Sequence, residues 1–487
     1  MNNSNNPADI SAVGGVKAGN PSPHPDYRKI VERSIVRHIS HGTDRRDMPD
    51  MIRAHQAHAV DFALGKGNAA LFLDTGLGKS LCAFTYADNV AKETNKPTLM
   101  LAPLGVTGQH LTEAHKFGFD DVRICREADD IRPGLNLCNY ERLHLFNPRE
   151  FGGLILDESS VIKNFSGVTT RRLMEFGSPI PFRLACTATP APNDHMELGQ
   201  HCQFLGVMSS SEMLSRWFLA DQSEMGRYRL KRHAVNSFWN WVASWARCAE
   251  KPSDLGGDDT GYNLPPLNLQ RHIVKTDIRA DAGGDDGQGR LFRIPSASAT
   301  SIHNEKRKTA NDRAAKIAEL VKAEPDEAWI IWVDTDYDAD AVKALIPEAT
   351  EVHGRMTPEQ KEAGLADFSE GRTRILITKG SIAGFGLNWQ HCARVAFVGL
   401  SYSYEAFYQS VRRCWRYGQT RPVDVHVASA ETEEAIWQAI VRKRDDHDTM
   451  KVAMRAAMSR AQEVRSVKLD YQPAKPAALP SWMEIAA

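Results

Sequence analysis

LFLDTGLGKS, residues 71–80, runs an apolar stretch into a glycine-rich turn and a Lys-Ser pair. It reads as a strand, a turn and a helix start. Phosphate binding needs that order. Gly76 and Gly78 let backbone N–H groups approach phosphate oxygens, and the helix N-terminus adds the positive end of its dipole. Lys79 is placed to reach the β- and γ-phosphates of a nucleoside triphosphate, and Ser80 to ligate Mg2+. Thr75, Gly76, Leu77, Gly78, Lys79 and Ser80 are therefore the nucleotide-binding candidates of this stretch. The strict G-x-x-x-x-G-K-[ST] pattern has Gly where this chain has Leu73.

A second stretch answers the first. LILDESSVIKN, residues 154–164, carries an apolar strand straight into two acids. Mg2+ favours hard oxygen ligands and commonly takes one carboxylate together with phosphates. Asp157 suits that role. Glu158 suits the group that orients or deprotonates an attacking water. A third stretch, QSVRRCWRYGQ at 409–419, is basic. On a continuous helix Gln409 and Arg413 are four apart, Arg413 and Arg416 three, so the three share one face. They read as arginine fingers, with Gln409, that reach a triphosphate held elsewhere and stabilise charge developing on the transferred group.

Around these stretches the chain alternates short apolar runs with helix-length segments. AALFLD (69–74), PTLMLAP (97–103), LNLCNY (135–140), GGLILDE (152–158) and PFRLACTATP (181–190) read as strands. A second series is EAWIIWVD (327–334), ATEVHG (349–354), RTRILITKG (372–380), ARVAFVGL (393–400) and VDVHVAS (423–429). Continuous apolar strands alternating with helices imply parallel sheets covered on both faces. The expected fold is α/β, with two parallel-sheet lobes joined by an irregular middle. The expected division is a partly disordered tail at 1–50, lobe one at 51–204, a helical then loop-like linker at 205–301, lobe two at 302–450, and a helix end and tail at 451–487. Within the linker, SFWNWVASWA sets Trp241 and Trp245 one turn apart and reads as a packed helix. PDYRKIVERSIVRHI (25–39) reads as a short basic helix, and DAGGDDGQG (281–289) as a loop.

Bulk properties set limits. The chain has 487 residues, 42% hydrophobic and 25% charged, with net charge -1 and a pI near 7.0. That is a globular composition. A nucleic-acid partner would have to meet a local basic groove rather than a basic protein. The eight cysteines show no C-x-x-C spacing, which argues against a zinc ribbon and for reduced, buried thiols. No signal peptide and no apolar run of membrane length is visible. The expected location is cytoplasmic, or nuclear in a eukaryote, without a membrane partner.

Taken together, the motifs resemble the superfamily-two helicase ATPases, and within them the Swi/Snf-like DNA translocases. The resemblance runs in order from about residue 51 to 446. RAHQAHAVDFAL (53–64) is similar to the adenine-reading Q motif, with Gln56 as the reader. LAPLGVTGQH (101–110) is similar to motif Ia, and CNYERL (138–143) to the strand after it. DESSVIKN resembles D-E-A-H-x-I-K-N, with Ser160 in the place of the usual His. TATPAPN (187–193) resembles motif III. TKGSIAGFGLNWQ (378–390) resembles motif V, with Gly386 beside the nucleotide.

This resemblance implies two RecA-like parallel-sheet lobes with an ATP site in the cleft between them, ATP and Mg2+ as cofactors, and movement along double-stranded DNA through its backbone, without sequence specificity. It implies that Ser160, Thr187 and Thr189 couple the ATP site to the nucleic-acid groove, and that Thr107, Lys163, Arg355 and Thr378 face phosphates. Compact bacterial and phage members are the most similar. The alternatives are a strand-separating helicase with the same engine and a non-motor ATP-dependent clamp. The terminal tails are candidate docking segments for a protein partner.

Overall fold

The computed structural model describes residues 40–103, 106–163, 167–220, 228–275, 299–383 and 387–466. The basic segment at 25–39, the loop at 281–289, Gly386 and the tail beyond 466 lie outside them. Among the described residues, fifteen strands form two parallel sheets and one ribbon. In chain order they are β1 (Asn68–Leu73), β2 (Thr98–Ala102), β3 (Val122–Ile124), β4 (Leu135–Asn139) and β5 (Gly153–Asp157). Then come β6 (Phe182–Cys186), β7 (Phe218–Ala220), β8 (Tyr228–Leu230), β9 (Ala246–Ala249) and β10 (Leu267–Val274). The last are β11 (Trp329–Val333), β12 (Thr350–Val352), β13 (Ile375–Lys379), β14 (Arg394–Val398) and β15 (Val423–Ala430).

The first sheet has the order β3-β4-β2-β5-β6-β1-β9, the second β10-β15-β14-β11-β13-β12. Both are parallel throughout, as continuous apolar strands require. β1 is buried along its whole length. β11 shows how both faces are covered: Ile330 and Trp332 enter one cluster, while Trp329, Ile331 and Val333 enter another. β6 lies between β1 and β5. The strand that feeds the glycine turn and the strand that ends in two acids are thus one strand apart, and both end on the same edge of the sheet. Crevices beyond the carboxyl ends of parallel strands are where such folds bind ligands. The two parallel-sheet lobes expected from the sequence are present.

The middle of the chain differs from expectation. Described residues within 205–301 join both sheets. β9 extends the first sheet beside β1, from Ala70↔Ala246 to Leu73↔Ala249. β10 pairs with β15 over eight positions, Leu267↔Val423 to Val274↔Ala430. Neither strand has a sequence signature. β9 is only ARCA, and its Arg247 is buried by donating to Ala243 O at 2.7 Å and lying 3.5 Å over the Phe62 ring. β10 is an edge strand, half exposed, with polar residues along it. Residues near 45, expected to belong to a tail, are tied to lobe one: Thr43 N–H donates to Leu64 O at 3.0 Å, and Arg46 and Asp47 N–H donate to Asn89 Oδ1. The tryptophan helix is as read, Val235–Trp245, with Trp241 and Trp245 buried and Trp217 stacked on Trp241 at 4.5 Å.

A boundary at 450 would cut a helix. Glu434–Ser466 runs unbroken for 33 residues, about 50 Å, without Gly or Pro. Its first turns pack Ile436 and Ile440 into the core of lobe two. Its later turns lie on lobe one. There Met458 Sδ accepts from Cys248 N–H at 3.0 Å, and Arg455 pairs with Glu250 at 2.8 Å. All eight cysteines are buried and free. Among the described residues no helix is long and apolar enough to cross a membrane.

Candidate nucleotide site

The glycine turn links β1 to the helix Lys79–Thr94. Gly76 and Gly78 have φ of 89° and 80°, left-handed values that a side chain would strain. Lys79 folds over the turn and donates to Leu73 O at 2.8 Å. Burial pulls its ammonium pKa down, while Glu158, Asp74 and Asp157 pull the other way. Leu77 is buried, and Ser80 sits half-buried on the first turn of the helix.

Asp157 ends β5. Burial alone would raise its carboxyl, yet His110 and Lys79 hold it below the ordinary value, so it is ionised. His110 Nε2 lies 2.7 Å from Asp157 Oδ2, and Tyr140 Oη donates to the Asp157 carbonyl at 2.5 Å. Burial works against a charge on His110, but Asp157 raises its pKa overall. The sequence offers no pointer to His110, which sits mid-helix in Thr107–Lys116.

Glu158 has φ of 55°, a left-handed conformation for a residue that has a Cβ. Such strain is of the order of 1–3 kcal/mol and collects at functional positions. The twist turns the Glu158 side chain away from that of Asp157 and toward Thr187, whose Oγ1 donates to Glu158 Oε1 at 2.8 Å. Burial pushes the Glu158 carboxyl up to about 7, with Lys79 lowering it and Asp157 raising it. Thr187 Oγ1 also accepts from Thr189 N–H at 3.0 Å. Thr189 Oγ1 in turn lies 3.5 Å from Glu405 Oε1 of lobe two, and Glu405 is ion-paired with Lys163. A polar chain therefore runs from the acid into the second lobe. The serines lie beneath it. Ser159 Oγ is 3.1 Å from His201 Nε2, both fully buried, and burial pushes the imidazole down to about 4, so it is neutral. Ser160 is buried in the turn Ser159–Lys163.

The basic stretch departs from its expected geometry. Its helix spans only Tyr404–Val411, so Gln409, Arg413 and Arg416 do not share a helical face. The chain turns after Val411 because the Arg413 carbonyl is taken by Trp389 N–H at 2.9 Å and the Trp415 indole by Pro265 O at 2.7 Å. Both arginines still belong to the site. Arg413 Nη1 donates to Leu387 O at 3.2 Å, and Arg416 Nη1 to Asn388 Oδ1. Burial and its neighbour Arg416 bring Arg413 down to about 10, against the pull of Glu158 and Asp157. Arg416 is likewise brought to about 10, by burial and by Arg412. Among the described residues, the buried donors Gln409 Nε2, Arg413 Nε and Arg416 Nε find no acceptor.

Arg412, given no role by the sequence, is the residue that grips the turn. It pairs with Asp74 at 2.9 Å and donates to Thr75 Oγ1 at 2.6 Å. Tyr408 Oη donates to Asp74 Oδ1 at 2.6 Å, and Lys451 of the long helix reaches Asp74 Oδ2 at 3.4 Å. No sequence signal marks Arg412. It is off the Gln409–Arg413 spacing, and its partner lies more than 330 positions away.

Gln56 is 6% exposed, and its amide serves the chain itself: Oε1 accepts from Arg53 N–H at 2.9 Å and Nε2 donates to Leu77 O at 3.1 Å. Of the residues expected to face phosphates, Thr378 is 1% exposed and donates to Val352 O at 3.0 Å, a bond inside the second sheet. β13 is buried on both faces from Ile375 to Thr378, so in this structure the Thr378 hydroxyl serves the sheet. Lys163 is held by Glu405 across the cleft. Arg355 is open, 3.2 Å from Asp336, and Thr107 begins its helix half-buried.

Among the described residues no cluster of three or more His, Cys, Asp or Glu side chains could cage a metal. An ionised Asp157, with Ser80 on the first turn of the helix after the glycine turn, fits Mg2+ that arrives with a triphosphate, because Mg2+ keeps waters and needs few protein ligands. His110 fixes the carboxylate that would serve it. Replacing His110 with Phe is expected to weaken Mg2+ about 10- to 100-fold. Mg2+ titration of nucleotide binding by calorimetry checks this, and an unchanged requirement would remove the assignment.

Residues 312–418 match the family model of the helicase conserved C-terminal domain. No curated protein matches the chain. Among solved structures the chain is similar to a Sulfolobus solfataricus SWI2/SNF2 ATPase core in complex with dsDNA. The identity is 18%, over 87% of this chain and 98% of that one, with a TM-score of 0.40.

Proposed function

We propose that this chain is a nucleic-acid-dependent ATPase that moves along double-stranded DNA; the match of residues 312–418 to the helicase conserved C-terminal domain supports the reading. The observation that carries the reading is the set of buried donors without acceptors, Gln409 Nε2, Arg413 Nε and Arg416 Nε, with Arg413 within the field of Glu158 and Asp157. Buried donors left alone are costly, and an anion satisfies them. In this reading Lys79 and the turn hold the triphosphate, while Ser80 and Asp157 hold Mg2+, which neutralises phosphate charge. Glu158 takes the proton of the attacking water, and the two arginines stabilise the leaving charge. ATP and water give ADP and phosphate. The chain Glu158–Thr187–Thr189–Glu405 supports coupling of that event to lobe two.

The motif order from 51 to 446, with Ile162 and Lys163 after the acids, supports the Swi/Snf-like branch and hence double-stranded DNA. One observation favours a second reading, strand separation. Lobe one carries an antiparallel ribbon, β7 with β8, which a wedge would use. Two measurements decide. ATP turnover with double-stranded DNA, single-stranded DNA, RNA and no nucleic acid should be fastest with double-stranded DNA; no stimulation by any of them would leave a non-motor switch. Triplex displacement without unwinding of a fork supports translocation, and fork unwinding transfers the assignment to a helicase.

A further inference from the structure

A cavity of about 600 Å³ opens on a part of the molecule that shares no residue with the nucleotide site. Its size falls within the range of about 300–1,000 Å³ usual for sites that enclose small molecules. Three pieces of chain line it: the loop at 191–195 after β6, the ribbon of β7 and β8, and one turn of the helix Glu434–Ser466. Lobe one thus supplies two walls, and the helix that rises from lobe two supplies the third.

The lining mixes three kinds of group. Arg229 on β8 and Arg442 on the helix are exposed, and among the described residues neither guanidinium has a carboxylate partner. Two such guanidiniums suit a phosphate, which arginine meets with paired N–H donors. Asp446 lies one turn beyond Arg442 and is not ion-paired with it. Its carboxylate, with that of Asp194, disfavours a bare anion but can accept the N–H groups of a nucleobase edge. The third group is aromatic. Phe218 is taken up by Phe238, edge-on at 5.4 Å, whereas the half-buried Tyr228 ring meets no other ring among the described residues. His195 Nε2, also at the cavity, is buried without a hydrogen-bond partner, and burial holds its imidazole below the ordinary value against Asp194 and Asp446.

We infer that this cavity takes one unpaired nucleotide, its phosphate on Arg229 and Arg442, its base against Tyr228 and the polar edge of that base toward Asp446. A free mononucleotide and a single-stranded stretch of nucleic acid offer the same chemistry. With a strand as its source, the inference rests on the nucleic-acid reading above and adds a contact that a duplex cannot make, since a paired, stacked base has neither face nor edge to give. The loop at the cavity starts two residues past Thr189, and Asn193 Nδ2 donates to the buried Glu197 at 2.8 Å. An occupant would therefore bear on the segment that carries Thr187 and Thr189.

The competing account is that these side chains belong to a general charged surface. Full-length chain is titrated with a short oligodeoxycytidylate, dCMP, inorganic phosphate and a blunt duplex, for the wild type and for Tyr228→Ala, Tyr228→Phe, Arg229→Ala and Arg442→Ala. Each Ala variant should bind the oligonucleotide about tenfold more weakly while the duplex stays within about twofold of wild type. Tyr228→Phe, which keeps the ring, should restore the affinity. Binding of dCMP that is lost in the same variants assigns the site to a free nucleotide, and loss confined to the oligonucleotide assigns it to a strand. Equal loss for oligonucleotide and duplex, no loss for either the oligonucleotide or dCMP, or inorganic phosphate competing as well as dCMP, overturns the site. The duplex-stimulated ATPase of the wild type is read beside these titrations: its absence removes the motor reading, and its presence with an overturned cavity leaves that reading standing.

Discussion

Replacing Glu158 with Gln is expected to slow ATP turnover about 10²- to 10⁴-fold while ATP still binds. The amide keeps the size of the side chain and can still meet the Thr187 hydroxyl, which lies 2.8 Å from Oε1 in the native protein. It cannot take a proton. The phosphate-holding groups, Lys79 and the backbone of the turn, are untouched. Turnover measured beside equilibrium ATP binding separates the two steps. Persistence of near-native turnover would show that another group removes the proton and that the left-handed φ of Glu158 serves only the fold. Loss of binding together with turnover would place Glu158 in holding the nucleotide instead.

Asp74→Asn is expected to lower stability by about 3–5 kcal/mol, because it leaves Arg412 and Lys451 buried side by side without their shared anion. Both cations lie on the lobe-two side of the chain's order, yet both reach a residue of the first lobe. Burial would raise the Asp74 carboxyl, but the two cations hold it well below the ordinary range. A lowered carboxylate contributes stability above its unfolded value, near about pH 4, and that contribution disappears as pH falls below it. The gap between native protein and Asp74→Asn should therefore be full above about pH 5 and narrow as pH falls below about 4, because only the native protein loses the Asp74 contribution there. Urea unfolding across pH measures both effects. Adding Lys451→Met to Asp74→Asn should return part of the loss, since one of the stranded charges is then gone. A single-variant change under about 1 kcal/mol would mean that the cluster is no more than a solvated surface pair.

The sequence made the phosphate-binding turn, the paired acids and most strands of both sheets readable, for one shared reason. Each is local: an apolar run of strand length, followed within a few residues by the polar group it positions. β1 with Lys79 and β5 with Asp157 and Glu158 are of this kind. What escaped reading depends on contacts far along the chain. β9 is four residues built around an arginine, and only the groove beside β1 makes it a strand. β10 is half exposed and takes its place from β15. The end of the Tyr404–Val411 helix depends on Trp389 and Pro265, so a spacing rule that assumed a longer helix assigned Arg413 and Arg416 to a face they do not share, and passed over Arg412. His110 was hidden for a similar reason. A lone histidine on a helix has no spacing signature, and its importance lies in the 2.7 Å contact with Asp157.

The helix Glu434–Ser466 leaves the core of lobe two and lands on lobe one at Lys451, Arg455 and Met458. The two halves are thus joined twice, once through the segment carrying β9 and β10 and again through this rod. A body attached at one point can tumble about it in every direction. Attached at two, it can only swing about the line through them, as a door does on a pair of pins. Any swing of one half against the other would then be guided in its direction by the placement of the two pins.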